Sequence, residues 1–305
     1  MGSILEALSP EQQIACSTQN NILLTACPGS GKTRTLTHRL AYQVLRDPAS
    51  KKIKIAITYT NRAAEEITNR LEGMNIDQSS IWAGTIHQFC MHFIIRPYAM
   101  YSKRLCKGYR IIDDYSKKAY GREIAERLGM HLNYYDDPFQ YENVRTEYKR
   151  VLKEKKEIDF DAILLISEEL LASCAFIGSN IASVISSILV DEFQDTNELQ
   201  YSILSTIYKA NKSIILMFVG DVNQAIYSSL GGVAKGKKEL ETLYEINFDS
   251  LSLKGCYRST QRLVDLYSRF EISKTDAHSV AKYKDEHGEI HFFDSVYYTS
   301  LQLYN

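Results

Sequence analysis

The sequence predicts an α/β fold: a parallel sheet with helices on both faces, interrupted by a helical insertion. Three observations predict it. Short apolar runs at 21–25, 53–60, 186–192 and 214–221 alternate with stretches of helical spacing, the pattern of strands joined by crossover helices. A loop of small residues, 26-ACPGSGKT-33, joins the first run to a helix. In 188-ILVDEFQDTNELQ-200, a cluster of polar side chains stands where another apolar run ends. Ligands of such sheets sit beyond the carboxyl ends of the strands, where both clusters fall.

Taken in order, Asn21–Thr25 reads as a strand, Ala26–Gly31 as a turn and Lys32 onward as a helix. The run 53-IKIAITYT-60 is a second strand, and Ala63–Leu71 an amphipathic helix. Residues 108–160 carry many charges and few strand signals, which predicts a helical insertion between two sheet strands. Within it, 145-RTEYKRVLKEKKE-157 reads as a solvated helix face rather than a nucleic-acid contact. The runs 186-SSILVDE-192 and 214-IILMFVGD-221 resume the sheet. Near the end, 288-GEIHFFD-294 reads as a strand that opens a further unit.

Composition bounds the function. With 305 residues, 45% hydrophobic and 24% charged, the chain can bury a large core. A net charge of -1 demands no nucleic-acid partner and leaves room for a locally basic groove. The six cysteines form no C-x-x-C pair, so neither a metal framework nor a disulfide scaffold is expected, and a reducing cytoplasmic setting fits. No apolar run approaches the roughly 18 residues of a membrane span, so no membrane partner is expected.

The loop 26–33 carries the strongest chemistry. Ala26, Cys27, Pro28, Gly29, Ser30 and Gly31 form a turn whose glycines let backbone N–H groups face phosphate oxygens. The helix N-terminus behind it favours the same anion. Lys32 is placed to reach the β/γ-phosphates of ATP, and the Thr33 hydroxyl to ligate Mg²⁺. At the second cluster, Asp191 suits the same Mg²⁺, Glu192 suits a general base for the attacking water, and Gln194 can sense the γ-phosphate. A helix N-cap accounts for Asp195 but not for the Asp191–Glu192 pair.

These motifs, in this order, resemble the ATP-binding half of a superfamily 1 DNA helicase of the UvrD/Rep type, over roughly residues 5–294. The segments that carry the resemblance are 8-LSPEQ-12, 31-GKTR-34, 57-ITYTNRAAEEI-67, 84-GTIHQF-89, 190-VDEFQDTNELQ-200, 219-VGDVNQAIYS-228 and 255-GCYRST-260. The resemblance implies a RecA-like P-loop lobe over 1–107 and 161–258, the insertion over 108–160, and in 259–305 a junction and the start of an incomplete second lobe. It implies that Gln12 reads the adenine edge, that Arg34 lies against the base and Tyr257 stacks on it, and that Gln224 and Arg258 contact phosphate. Single-stranded DNA would run along Tyr59, Thr60, Asn61, Thr85, His87 and Tyr227, hydroxyls and amides meeting phosphates and rings meeting bases.

The chain departs from the family pattern at Ser229 and Leu230, where members usually carry an aromatic residue and an arginine, and at Cys256, usually asparagine. Nothing in 259–305 resembles the second-lobe motifs that supply a further catalytic arginine. The expected function is an ATP-dependent DNA helicase or translocase core, incomplete as a motor alone. The competing expectation is an ATP- and DNA-binding adaptor that acts with a nuclease or with a chain supplying the second lobe. A P-loop kinase would leave 57–67 and 84–89 unexplained.

Overall fold

The computed structural model describes residues 2–133, 135–225 and 232–286. Six parallel strands form the central sheet: β1 (Ile22–Ala26), β2 (Ile53–Thr58), β3 (Ile81–Thr85), β4 (Ile185–Asp191), β5 (Ile215–Gly220) and β6 (Asp249–Leu253), in the spatial order β3-β2-β4-β5-β1-β6. The register aligns Ile22 of β1 with Met217 of β5 and Asp249 of β6, and Asp191 of β4 with Val219 of β5.

The inner strands bury both faces, and alternation divides their side chains between two cores. Leu23, Ile57, Val190 and Phe218 face one side, where helices Phe160–Ser173, Ala175–Val184 and Glu198–Ala210 cover them. Leu24, Ala56, Leu189 and Val219 face the other, beneath helices Lys32–Arg46 and Asn61–Gly73. Each of the larger buried side chains, Leu, Ile, Val or Phe, contributes on the order of 1.5–3 kcal/mol.

The sequence reading stopped at four strands, and the structure adds β3 and β6. Both lie at sheet edges, where IWAGT and DSLSL need bury only part of their surface and carry no long apolar run. Helix Asn61–Gly73 opens on Thr60, whose hydroxyl accepts from Ala63 N, and buries Ala64, Ile67 and Leu71 at helical spacing.

Between β3 and β4 the chain leaves the sheet. Helices Asp114–Arg127 and Glu142–Lys155 pack on each other through a small core of Ile124, Val144, Tyr148 and Leu152. A two-residue parallel pairing of Arg110–Ile111 with Glu157–Ile158 closes the base of this excursion. Among the described residues, no helix is long and apolar enough to cross a membrane. The expected strand in 288–294 lies outside the described residues.

Candidate nucleotide site and adjoining groove

The sheet order sets the geometry of the site. β5 lies between β1, which ends in the phosphate loop, and β4, which ends in Asp191. Three strand ends therefore converge, and side chains tie them together. Lys32 Nζ lies 2.7 Å from Glu192 Oε2. Gln194 Nε2 donates to that same oxygen at 2.8 Å, and Gln194 Oε1 accepts from Asp221 N, just past β5, at 3.0 Å. Gln224 Nε2 completes the chain on Asp221 Oδ2 at 3.0 Å.

The loop needs its glycines for two reasons. Gly29 and Gly31 have φ of +75° and +83°, the left-handed region disfavoured for other residues. A Cβ on Gly29 would also stand 2.7 Å from Arg258 Cβ, and one on Gly31 2.8 Å from Gln12 Nε2. Segment 256–258 is thus pressed against the loop, and Tyr257 N donates to Gly29 O at 2.9 Å. Glu192 itself is held left-handed, with φ of +51°. Such strain in a non-glycine residue costs about 1–3 kcal/mol and clusters at working sites.

Gln12 is buried beneath the loop: its Oε1 accepts from Ser9 N, and its Nε2 donates to Ser30 O at 3.0 Å. Arg34 donates to Ala7 O at 2.9 Å. Ala26 and Cys27 are buried, Pro28 is half-buried, and the Ser30 hydroxyl is buried without a hydrogen-bond partner. Tyr257 and Arg258 are exposed beside the loop.

Burial, reinforced by the charge of Glu192, pushes the Asp191 carboxyl up to about 7. Burial likewise raises Asp221 and Asp195. Asp195 is not the cap of the next helix. It ends a 3₁₀ turn, Phe193–Asp195, with Oδ1 buried and unpartnered, and the cap is Asn197, which forms a reciprocal capping box with Gln200.

The residues expected to line a DNA track come together. Tyr59, Thr60, Asn61, Thr85 and His87 share one groove of about 710 Å³. Tyr227 lies outside the described residues, as do Ser229 and Leu230. A smaller cavity of about 60 Å³ connects the two regions, bounded by Tyr59, Thr85 and His87 on one side and by Asp191, Glu192 and Asp195 on the other. Thr85 caps its helix in a reciprocal box with Gln88. The His87 ring meets Phe160 edge-on, with centroids 5.7 Å apart. Burial holds the His87 imidazole below its usual pKa, against the opposing pull of Asp161 and Asp114.

Sequence reasoning missed Trp82, Arg96 and Phe160 on the groove wall. Trp82 follows a detectable apolar position. Phe160 arrives only because the insertion returns to the sheet at this point, which no local pattern announces.

Residues 11–230 match the AAA domain family. The chain is 28% identical to the ATP-dependent DNA helicase PcrA of Leuconostoc citreum, over 82% of this chain and 37% of that protein. It is 26% identical to DNA helicase II of Escherichia coli strain K12, over 86% of this chain and 40% of that protein. The chain thus spans well under half the length of these curated relatives. Among solved structures, the Pif1 helicase from Candida albicans aligns over 85% of this chain and 43% of its own at 13% identity, with a TM-score of 0.44. With a family match across more than two thirds of its residues and a parallel sheet ending in a loop of the phosphate-binding pattern, the chain belongs to the AAA domain family, and it is similar to the DNA helicases PcrA and DNA helicase II.

Proposed function

We propose that this chain is the ATP-hydrolysing, single-stranded-DNA-binding core of a DNA helicase or translocase. The observation that carries the reading is the Lys32–Glu192 contact at 2.7 Å. It joins a phosphate-binding cation to a carboxylate at a strand end, one cavity wall from a groove lined by hydroxyl, amide and aromatic side chains. Residues 1–107 and 161–258 would form the RecA-like lobe, 108–160 the insertion, and 259–305 the junction leading to a second lobe.

The donor set suits Mg·ATP. Thr33 and Asp191 offer hard oxygens, and the unpartnered Ser30 hydroxyl lies in a loop free of obstructing Cβ atoms at Gly29 and Gly31. Among the described residues no group of three or more His, Cys, Asp or Glu gathers that could hold a metal, so phosphate oxygens and water would complete the shell. When bound, the cation would neutralise charge on the phosphate oxygens.

The protein's own residues do the rest. Lys32 leaves Glu192 to meet the β/γ-phosphates. Glu192, then free of its cation, accepts a proton from the attacking water. Gln194 and Asp221 pass the change at the γ-phosphate to Gln224, and Arg258 adds positive charge on the open side. Tyr257 stacks on the base, with Gln12 and Arg34 shaping its pocket. Tyr59, Thr60, Asn61, Thr85 and His87 hold the strand, with Tyr227 as a further platform.

The test is ATP hydrolysis by the purified chain with and without oligo-dT. Stimulation by the oligonucleotide, lost in Lys32→Ala, supports the reading. No nucleotide binding at all would overturn it.

A further inference from the structure

A second cavity, of about 830 Å³, opens where the insertion meets helix Phe160–Ser173. Its rim is basic. Helix Glu142–Lys155 places Arg145, Lys149 and Lys153 in one row at i, i+4 spacing along the cavity. On the same helix Arg145 is paired with Glu142, and Arg150 with Glu147 and Glu154, which leaves Lys149 and Lys153 as the row's unpaired charges. Lys103, Arg104 and Lys107 face the row from the loop before the insertion.

Among the described residues, neither those three nor Lys149 and Lys153 have a carboxylate within ion-pairing distance. The two acids at the cavity are already engaged. Asp161 holds Lys117 at 2.6 Å, and Asp159 accepts from Tyr148 OH at 2.9 Å and Ala162 N at 2.9 Å.

The floor is aliphatic: Leu152, Ala162 and a Leu165 that is 49% exposed. Its aromatic rings are occupied. Tyr148 is buried, and Phe139 meets it edge-on while carrying the Lys117 ammonium 5.5 Å from its own ring. Single-stranded nucleic acid relies on open aromatic faces, and this floor presents none. The unpaired cations Lys103, Arg104, Lys107, Lys149 and Lys153 above an aliphatic floor complement carboxylates that flank an apolar side chain.

We propose that this cavity is a docking site for an acidic protein segment anchored by an aliphatic or aromatic side chain. It uses a different face of helix Phe160–Ser173 from the DNA-side groove. Phe160 and Ile163 line the groove, whereas Ala162 and Leu165 line the cavity, so both can be filled together.

The experiment is fluorescence anisotropy on the full chain with three labelled probes: a short peptide of Asp and Glu interspersed with Leu and Phe, the same peptide with Ser at the apolar positions, and oligo-dT. The expected result is saturable, salt-sensitive binding of the first peptide and weaker binding of the second. Lys149→Glu combined with Lys153→Glu, and separately Leu165→Ser, should weaken the first peptide roughly tenfold, about 1.4 kcal/mol. A remote control, Lys51→Glu with Lys52→Glu, should not. Thermal melting confirms that each variant folds.

Failure of the first peptide to saturate the wild-type chain overturns the proposal, as does binding that the cavity variants leave unchanged. Charge reversal that weakens oligo-dT alone would reassign the cavity to nucleic acid. ATP hydrolysis, measured separately, keeps this outcome distinct from that of the proposed function.

Discussion

Lys32 and Glu192 are paired at 2.7 Å across the site, so the residue that should grip phosphate is held by the residue that should activate water. Nucleotide binding must separate them. Glu192→Gln is therefore expected to bind ATP more tightly than the wild type while hydrolysing it far more slowly. The gain should reach up to about 1 kcal/mol, or roughly fivefold, the range of a partly exposed ion pair. Equilibrium binding of a fluorescent ATP analogue, run beside a hydrolysis assay, checks both halves. Wild-type turnover in this variant would remove Glu192 as the base.

Lys32→Ala should show the opposite imbalance. It removes the cation and leaves Glu192 facing the phosphates, so binding weakens and turnover drops by at least about 10²–10³. Single-turnover hydrolysis measures the second effect directly. Undiminished turnover would end the phosphate-loop assignment.

Gly29→Ala tests the loop against its neighbour. The new methyl meets Arg258 Cβ at 2.7 Å, and the residue must keep φ of +75°. A stability loss of about 1–3 kcal/mol is expected, together with loss of nucleotide binding. Denaturant melts with and without ATP give the two numbers. A variant as stable as the wild type would show that segment 256–258 does not press on the loop.

How far the sequence revealed this site depended on burial. β1, β2, β4 and β5 are covered on both faces and show as apolar runs, whereas the edge strands β3 and β6 do not. The loop 26–33 and the Asp191–Glu192 pair stood out in the sequence because the chemistry proposed for them needs particular residues at fixed spacing. Partners distant in sequence were not. Nothing local says that Gln12 reaches Ser30 O, that Gln194 spans to Asp221, or that Phe160 meets His87. The charge run 145–157 read as a solvated helix face, and Lys149, Arg150, Lys153 and Glu154 are exposed; that Arg145, Lys149 and Lys153 also line a cavity needed the fold.

Tyr59→Ala should weaken oligo-dT binding by about 1–3 kcal/mol, the worth of one stacked base. The slope of affinity against salt should stay constant, because no charge is removed. Titrations at several salt concentrations decide it. Affinity unchanged at every salt concentration would place Tyr59 outside the groove's contacts.

The cysteines should report the packing. Cys16, Cys27, Cys90 and Cys256 are buried, and burial pushes the first three thiols up to about 12. A thiol reagent at mildly alkaline pH is expected to modify exposed Cys106 first, the partly exposed Cys174 more slowly, and the other four only on unfolding. Rapid modification of the buried four would contradict the core.

The placement of β1 also governs the order in which this protein can be assembled. Among the described residues its sheet neighbours are β5 and β6, so the strand that carries the phosphate loop waits for partners roughly 190 or more residues downstream. At about 5–20 residues per second of synthesis, that interval lasts on the order of 10–40 seconds. During it, β2 can already pair with β3, while Ile22–Ala26 has no sheet to join. Nucleotide affinity is thus acquired late and all at once. A ribosome-bound chain whose emerged portion stops short of Ile215 would carry every residue of the loop and still be unable to hold ATP.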